Sequence, residues 1–145
     1  MATRSGSAGH PRHTVLVVDD NADGRESLAL LLECRGFGVA TAGNGLEALH
    51  LMVTLGMRPC VVVVDLIMPV MDGLALHERM AAEPDLAEIP LIGLTGHEGL
   101  RRDALSEGFA AALLKPGNVD DLISLLVNHC ASIATRTTAM RRRRA

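Results

Sequence analysis

The sequence predicts an α/β protein with a doubly wound, five-stranded parallel sheet in the order 2-1-3-4-5 and five helices. Short apolar runs alternate along the chain with longer segments of helical periodicity. Strand connections of this length cross over right-handedly, which makes the sheet parallel and covers both of its faces. The unbroken runs VLVV, VVVV and LIGL suit central strands that are buried on both faces, so the weaker runs are expected at the edges.

Five apolar runs are the predicted strands. They are TVLVV (14–18), GVATA (38–42), CVVVV (60–64), PLIGL (90–94) and AALL (111–114). Helices are predicted between and after them, over 22–35, 45–55, 73–82, 100–107 and from Val119 to about Ala134. The last helix has a single apolar stripe, which includes Leu122, Leu126 and Cys130, and is therefore expected to pack on the sheet.

Polar residues and glycines mark the ends of these helices. Three residues are predicted N-caps, and Glu47 stands three positions after the first of them, as in a capping box. They are Asn44, Asp72 and Asn118. Gly36 and Gly108 are predicted to end the helices that precede them.

Length and composition predict one ordered domain over 14–135. A chain of 145 residues, 48% of them hydrophobic, buries roughly 70% of its unfolded surface and needs neither a disulfide nor a structural metal for its core. Residues 1–13 and 136–145 lack apolar periodicity and are predicted to be a disordered N-terminal arm and a basic disordered tail.

Charge is separated along the chain. Residues 1–13 contain two arginines and residues 136–145 contain five, with no acidic residue in either segment, so the intervening part carries all 17 acidic residues. The run Arg141 to Arg144 could contact nucleic-acid phosphates, but a solvated tail on an acidic body is the preferred interpretation. The absence of Trp and Tyr argues against a reader of single-stranded nucleic acid, which needs aromatic stacking.

The cysteines and the termini predict a reduced, cytoplasmic protein. Cys34, Cys60 and Cys130 have no paired spacing and lie in or beside apolar runs, so all three are expected to be reduced core residues. The N-terminus is polar, and no segment approaches the ~18 apolar residues of a membrane span.

Polar side chains follow four of the predicted strands. Asp19 and Asp20 follow the first strand, Asp65 the third, Thr95 the fourth and Lys115 the fifth. These strands are neighbours in the predicted order, so the side chains are expected to meet in one crevice at the carboxyl edge of the sheet. Three carboxylates there require a compensating cation, and Mg²⁺ prefers such hard oxygen ligands.

Each of these residues also has a purely structural interpretation. An Asp at a strand-to-helix turn is more often a cap or turn former, and a Thr at a strand end is common. Lys115 differs because it is the only lysine in the sequence. The four strand ends together are hard to explain as caps.

Two other candidate sites are rejected. The segment GNGLEA (43–48) formally matches a dinucleotide-binding fingerprint, but it follows a predicted edge strand and leaves Asp19, Asp20 and Lys115 without a role. The six histidines lack zinc-ligand spacing and are interpreted as surface or partly buried residues, with His97 near the crevice as the possible exception.

These strand-end residues and their flanking motifs resemble those of the receiver domain of two-component response regulators. The resemblance covers about 14–134 and rests on the ordered motifs VLVVDDN (15–21), VVVVDLIMPVMDG (61–73), LIGLTG (91–96) and LLKP (113–116). It implies a flavodoxin-like receiver fold and a phosphorylatable signalling protein rather than a dedicated enzyme.

The resemblance also implies a role for each site residue. Asp65 would accept a phosphoryl group from the phosphohistidine of a sensor histidine kinase or a histidine phosphotransfer protein. Mg²⁺ would be held by Asp20, Asp65 and the backbone carbonyl of Ile67, with Asp19 acting largely through a metal-bound water. Thr95 and Lys115 would contact the phosphoryl oxygens.

The sequence departs from the family at the switch. Ala112 stands where the family usually carries an aromatic on the fifth strand, so the usual coupling of that aromatic to the threonine is expected to be absent. This motivates the alternative of a receiver-like interaction module that does not rely on phosphorylation. An aspartate-nucleophile phosphatase of the haloacid dehalogenase type is disfavoured, because it needs an acid where Ile67 stands.

The expected output is a protein contact. Only ten residues follow Thr135, so the chain is expected to be a single-domain response regulator that signals to an unidentified protein target. It is expected to be a monomer without a membrane or nucleic-acid partner.

Overall fold

The computed structural model describes residues 14–115 and 117–130. The predicted N-terminal arm (1–13), the predicted basic tail (136–145) and the predicted end of the domain at residue 135 lie outside the described residues. Within them, no helix combines the length and the apolar character that crossing a bilayer requires.

Five parallel strands form one sheet in the order β2-β1-β3-β4-β5, as predicted. They are β1 (Thr14–Val18), β2 (Gly38–Ala42), β3 (Val61–Asp65), β4 (Leu91–Thr95) and β5 (Ala111–Leu114). β3 and β4 each begin and end one residue later than predicted. Asp65 and Thr95 are therefore the last residues of their strands rather than the first residues beyond them.

Five helical segments connect and follow the strands. They are α1 (Ala22–Cys34), α2 (Gly45–Leu49, continued by a π-helical turn over His50–Thr54), α3 (Gly73–Ala81), α4 (Glu98–Glu107) and α5, which is helical over 119–130. α4 begins two residues earlier than predicted, because the chain turns into the helix directly after His97. The predicted end of α5 lies outside the described residues.

The predicted caps form. Asn44 accepts from the Glu47 amide at 2.9 Å, Asp72 from the Ala75 amide at 2.9 Å, and Asn118 from the Asp120 amide at 2.8 Å. The capping box is modified, since the Glu47 side chain accepts from the amide of Gly43 rather than from that of Asn44.

The two helix-ending glycines have left-handed backbones, with φ of 95° at Gly36 and 112° at Gly108. A residue with a Cβ is strained in that region, which explains glycine at both positions. Asn21, which the sequence analysis did not identify as a cap, accepts from the Gly24 amide at 2.8 Å and so starts α1.

Alternate residues of the central strands fill two apolar cores on opposite faces of the sheet. One core contains Leu16, Val62 and Val64 with residues of α2, α3 and α4, and Ala112 belongs to it. The other contains Val15, Val17 and Val63 with residues of α1 and α5. Because side chains alternate along a strand, the unbroken apolar runs supply both cores at once.

Cys60 and Cys130 are core residues as predicted, but the prediction that they are reduced is wrong, and so is the burial predicted for Cys34. The structure joins Cys60, directly before β3, to Cys130 of α5 by a disulfide with a Cα–Cα distance of 5.8 Å. Cys34 keeps a free thiol but is exposed at the end of α1. Sequence spacing could not reveal the pair, because 70 residues separate its members and only the packing of α5 on the sheet brings them together.

Candidate functional site at the carboxyl edge of the sheet

The sheet brings the predicted site residues to one edge. β1, β3, β4 and β5 are successive neighbours, and the register pairs Asp65 with Leu94 and Thr95 with Leu114. Asp19 follows β1 directly, and its amide donates to the carbonyl of Ala42 at the end of β2, at 3.1 Å. Parallel strands that end together thus place their last residues in a common crevice.

Three carboxylates form the centre of this crevice. One oxygen each from Asp19, Asp20 and Asp65 lies within 4.8 Å of the others. Asp65 is 9% exposed, whereas Asp19 is half-buried and Asp20 is exposed. The cluster is therefore open to solvent on the Asp20 side and closed around Asp65.

A single ammonium group compensates the most buried of these carboxylates. Nζ of Lys115 donates to Oδ2 of Asp65 at 2.6 Å, and the backbone amide of Lys115 donates to the carbonyl of Thr95 at 2.7 Å. The Lys115 side chain is 43% exposed and that of Asp65 12%, so solvent reaches the pair from the lysine side. The only lysine in the chain is thus bonded to the last residue of β3 and to the last residue of β4.

Thr95 is almost fully buried, with 1% of its surface exposed. Its Oγ1 accepts from the amide of His97 at 3.1 Å. A hydroxyl that accepts one hydrogen bond still carries its own proton to donate. Gly96 follows, and a Cβ there would meet no atom within 4 Å, so packing within the described residues does not require glycine at this position.

The loop from β3 to α3 folds back on Asp65. Oδ1 of Asp65 accepts from the amide of Ile67 at 3.0 Å. The Met71 amide donates to the carbonyl of Pro69 at 2.7 Å across Val70, whose φ of 70° is unusual for a β-branched residue. The loop between β3 and α3 therefore contains a tight, strained turn at Val70.

Two glycines permit close approaches around this loop. A Cβ at Gly73 would lie 2.9 Å from the carbonyl oxygen of Asp65, and one at Gly45 would lie 2.7 to 2.8 Å from atoms of Met71. Gly45 also donates its amide to the Met71 carbonyl at 3.0 Å. Gly45, one of the glycines of the rejected dinucleotide fingerprint, therefore serves internal packing.

The donor set suits a hard cation. Three carboxylates offer the oxygen ligands that Mg²⁺ prefers, and their mutual repulsion is relieved when a divalent ion joins them. The open side at Asp20 leaves space for the waters that Mg²⁺ usually retains. Among the described residues, the acidic groups at this edge therefore fit the predicted ion.

The histidines within the described residues stand apart from the carboxylates. His50 and His97 are exposed, and His77 stacks on Phe109 with ring centroids 4.9 Å apart. Beside the crevice, the Arg101 side chain donates to Glu98 at 2.8 and 2.9 Å, which lowers the pKa of Glu98 and raises that of Arg101. Both belong to the first turns of α4 and are not part of the carboxylate cluster.

Arg25 is a residue of this region that the sequence analysis missed. Its Nη1 donates to the backbone carbonyl of Asp19 at 2.7 Å. No motif reveals this contact, because the partner is a main-chain oxygen. The available signal is the position of Arg25 one turn into α1, the helix that follows the two acidic residues Asp19 and Asp20.

The chain is similar to several known response regulators. Residues 15–127 match the family described as response regulator receiver domain. Response regulator MprA of Mycobacterium sp. (strain KMS) is 35% identical over 112 residues, which are 76% of this chain and 47% of that protein. The chain thus spans about half the length of that relative.

A second relative and a solved structure extend the comparison. An uncharacterized 14.6 kDa protein from the sodA1 3′ region of Leptolyngbya boryana is 39% identical over 118 residues, covering 80% of this chain and 88% of that protein. The crystal structure of a response regulator receiver domain protein from Clostridium thermocellum superposes with a TM-score of 0.76 at 27% identity, over 85% of this chain and 98% of that one. Sequence motifs, strand order and these likenesses agree, and the chain belongs to the response regulator receiver domain family.

Proposed function

We propose that the chain is a phosphorylatable switch of a two-component system. Asp65 accepts a phosphoryl group from the phosphohistidine of a sensor histidine kinase or a histidine phosphotransfer protein, in a Mg²⁺-dependent reaction. The observation that carries the proposal is the 2.6 Å contact of Lys115 Nζ with Oδ2 of Asp65, made beside two further carboxylates. A nucleophile, a compensating cation and a set of metal ligands meet there in one crevice.

The transfer forms one bond and breaks another. A carboxylate oxygen of Asp65 attacks phosphorus, the phosphorus–nitrogen bond to the donor imidazole breaks, and the electron pair leaves with that nitrogen. The transition state is loose and spreads negative charge over the phosphoryl oxygens, so catalysis depends on positioning and charge compensation. Lys115 neutralises one oxygen as a compact charge, and Thr95 donates its hydroxyl to another.

The metal ligands in this proposal are Asp20, Asp65 and the backbone carbonyl of Ile67, with Asp19 acting through water. A bound Mg²⁺ supplies positive charge at a phosphoryl oxygen. Asp65 is held for these tasks by the Ile67 amide on Oδ1 and by Lys115 on Oδ2. Its two oxygens therefore have fixed and different surroundings.

Signalling then proceeds through protein contacts of a domain that spans 14–135. The protein acts as a phosphoacceptor that catalyses its own phosphorylation and slow dephosphorylation, not as an enzyme with a separate substrate. Kinase and acceptor must share a compartment, for which we propose the cytoplasm. A disulfide is uncommon there, so the Cys60–Cys130 bond is expected to depend on the redox state of the cell.

The alternative is a receiver-like interaction module that works without phosphorylation. Ala112 supports it, because this residue is 5% exposed within the core and has no side-chain torsion that could switch. The same fold and surface would then bind a partner constitutively.

Incubation with acetyl phosphate and Mg²⁺, followed by intact mass measurement, separates the two proposals. We expect one added phosphoryl group, labile at high pH as an acyl phosphate is, and no addition to Asp65→Asn. Asp72→Asn is the matched control, since it changes a capping carboxylate of the same loop to a residue that also caps and should label normally. Unlabelled wild-type protein would favour the interaction module, and a labelled Asp65→Asn variant would place the phosphoryl group elsewhere.

A further inference from the structure

We propose that Arg25 is a positioning residue for the metal site, acting through the main chain of Asp19. The inference rests on the proposed function, in which Asp20 is a ligand of Mg²⁺ and Asp19 acts on the ion through water. It adds a residue that contacts neither the ion nor the phosphoryl group and that nonetheless sets the affinity for the ion.

The bond from Arg25 crosses the loop that carries both acidic residues. Nη1 of Arg25 donates to the Asp19 carbonyl at 2.7 Å, while the Asp19 amide donates to the Ala42 carbonyl at 3.1 Å. The peptide groups on both sides of the Asp19 Cα are therefore held, one by α1 and one by β2. The Asp19 side chain is also held, since its Oδ1 accepts from the Asn21 amide at 3.0 Å.

The guanidinium is itself confined. Arg25 is half-buried, whereas its neighbours Gly24 and Glu26 are exposed. Its Nη1 lies 3.6 Å from the point where a Cβ of Gly43 would stand, and Oε1 of Glu47 lies equally far from that point. The Glu47 side chain in turn accepts from the Gly43 amide. Arg25 thus occupies a corner between the loops that follow β1 and β2.

The hydrogen bonds that hold Asp19 in place oppose the electrostatic repulsion among the three carboxylates. Three carboxylates with oxygens within 4.8 Å repel one another when no cation joins them, and this repulsion favours displacement of the loop of Asp19 and Asp20 from Asp65. A loop already held in place loses less freedom when the ion binds, so its affinity is higher. Removing the Arg25 side chain should therefore weaken Mg²⁺ binding without removing any ligand.

The experiment is a calorimetric titration with Mg²⁺ in the absence of a phosphodonor. Arg25→Met, which keeps the aliphatic length, should raise the dissociation constant about tenfold, as loss of an outer hydrogen-bond partner of a metal site often does. Arg25→Lys keeps a charged donor and should show a smaller increase. At saturating Mg²⁺, the Arg25→Met protein should be phosphorylated at the wild-type rate, because its ligands and Lys115 are intact.

Arg58→Met is the matched control. Arg58 also donates to main-chain carbonyls, those of Met52 at 2.5 Å and Met57 at 2.9 Å, but it lies before β3 at the opposite edge of the sheet. Its replacement should leave Mg²⁺ affinity unchanged. Hydrogen exchange without metal should show faster exchange of the Asp19 amide in Arg25→Met and wild-type exchange there in Arg58→Met.

Three results would overturn the inference. If Arg25→Met bound Mg²⁺ as tightly as the wild type, the guanidinium bond would be structural only, and the proposed function would stand. If Arg25→Met and Arg58→Met weakened binding equally, the effect would reflect general destabilisation. A wild-type chain that binds no Mg²⁺ would overturn both this inference and the metal requirement of the proposed function.

Discussion

The carboxyl edge of the sheet, where the strands end, differs from the opposite edge, where they begin, in its charges and its covalent bonds. At the carboxyl edge, Asp19, Asp20 and Asp65 bring carboxylate oxygens within 4.8 Å of one another around one lysine. At the opposite edge, the disulfide of Cys60 and Cys130 joins the start of β3 to α5. Like charges therefore repel one another at the carboxyl edge, while a covalent bond at the opposite edge links elements that lie far apart in the sequence.

Further bonds reinforce the opposite edge. The Cys60 amide donates to the Thr14 carbonyl at 2.9 Å, which joins the start of β3 to that of β1. Arg58 donates to the carbonyls of Met52, within the π-helical turn, and of Met57, which follows it. Its Nη2 lies 3.6 Å from Oδ2 of Asp85 in the loop before β4. The exposed ion pair contributes little, whereas the bond from Arg58 to the Met52 carbonyl is shielded in part from water.

The difference indicates a division of tasks between the edges. Like charges that are crowded together destabilise the apo protein, and they are tolerated where an ion or a phosphoryl group is to be bound. A restraint placed far from that crevice offsets the cost without blocking the site. Substitutions at the two edges should therefore have separable effects on stability and on Mg²⁺ binding.

The largest expected effect is on stability, from loss of the disulfide. Because the bridge spans 70 residues, Cys60→Ser should lower the free energy of unfolding of the oxidised protein by about 4 kcal/mol. Urea unfolding measures this change. Phosphorylation by acetyl phosphate at low denaturant should stay at the wild-type level, because the substitution lies at the other edge.

Cys34→Ser provides the control for that prediction. It removes the exposed free thiol and should leave stability within about 0.5 kcal/mol of wild type. A wild-type protein that shows three free thiols under oxidising conditions would mean that the disulfide does not form. A Cys60→Ser variant as stable as wild type would mean that the disulfide does not stabilise the opposite edge.

A smaller effect of opposite sign is expected at the carboxyl edge. Asp20→Ala removes one of the repelling carboxylates, so the apo protein should be as stable as wild type or more stable by up to about 1 kcal/mol. Its affinity for Mg²⁺ should fall. Thermal unfolding with and without Mg²⁺ measures both quantities, since a ligand that binds the native state raises the melting temperature.

Asp23→Ala serves as the matched control for Asp20→Ala. Asp23 is an exposed acidic residue in the first turn of α1, close in sequence but outside the carboxylate cluster. Its removal should leave the stabilisation by Mg²⁺ unchanged. A clear loss of apo stability in Asp20→Ala would mean that Asp20 is structural and that the crowding at this edge has no cost.

The sequence predicted the carboxyl edge far better than the opposite edge. Asp65, Thr95 and Lys115 each stand at the end of an apolar run, and strand order alone brings them together. The Cys60–Cys130 pair depends on the angle at which α5 packs, and Arg25 acts on a main-chain oxygen, so neither leaves a pattern of residue types.

Boundary errors have a similarly local cause. The π-helical turn at His50–Thr54 arises inside a segment whose apolar spacing reads as an ordinary helix. The one-residue shift of β3 and β4 arises because Asp65 and Thr95 continue the strand ladder, although their side chains are polar. Hydrogen bonding of the main chain decides such ends, and side-chain polarity is a weak guide to it.

The smallest expected change is along β5. Ala112 is paired with Gly93 of β4, and the ring of Phe109 lies 3.3 Å from the point where a Cβ of Gly93 would stand. Phe109 is buried in the same core as Ala112. An aromatic ring is therefore already packed beside this part of the sheet, and Ala112 has no rotamer to exchange when Thr95 engages a phosphoryl group.

Phosphorylation should consequently alter the carboxyl edge and leave β5 nearly unchanged. Hydrogen exchange of the phosphorylated and unphosphorylated forms should differ chiefly at Thr95, Gly96 and the turn that leads into α4, because only the main chain and adjacent loop atoms there can respond. Amides of Ala111–Leu114 should exchange alike in both forms. Strong phosphorylation-dependent protection centred on β5 and the facing side of α5 would show that the switch reaches this surface by a route that needs no aromatic, and the contrast between a responsive edge and an unresponsive strand would fail.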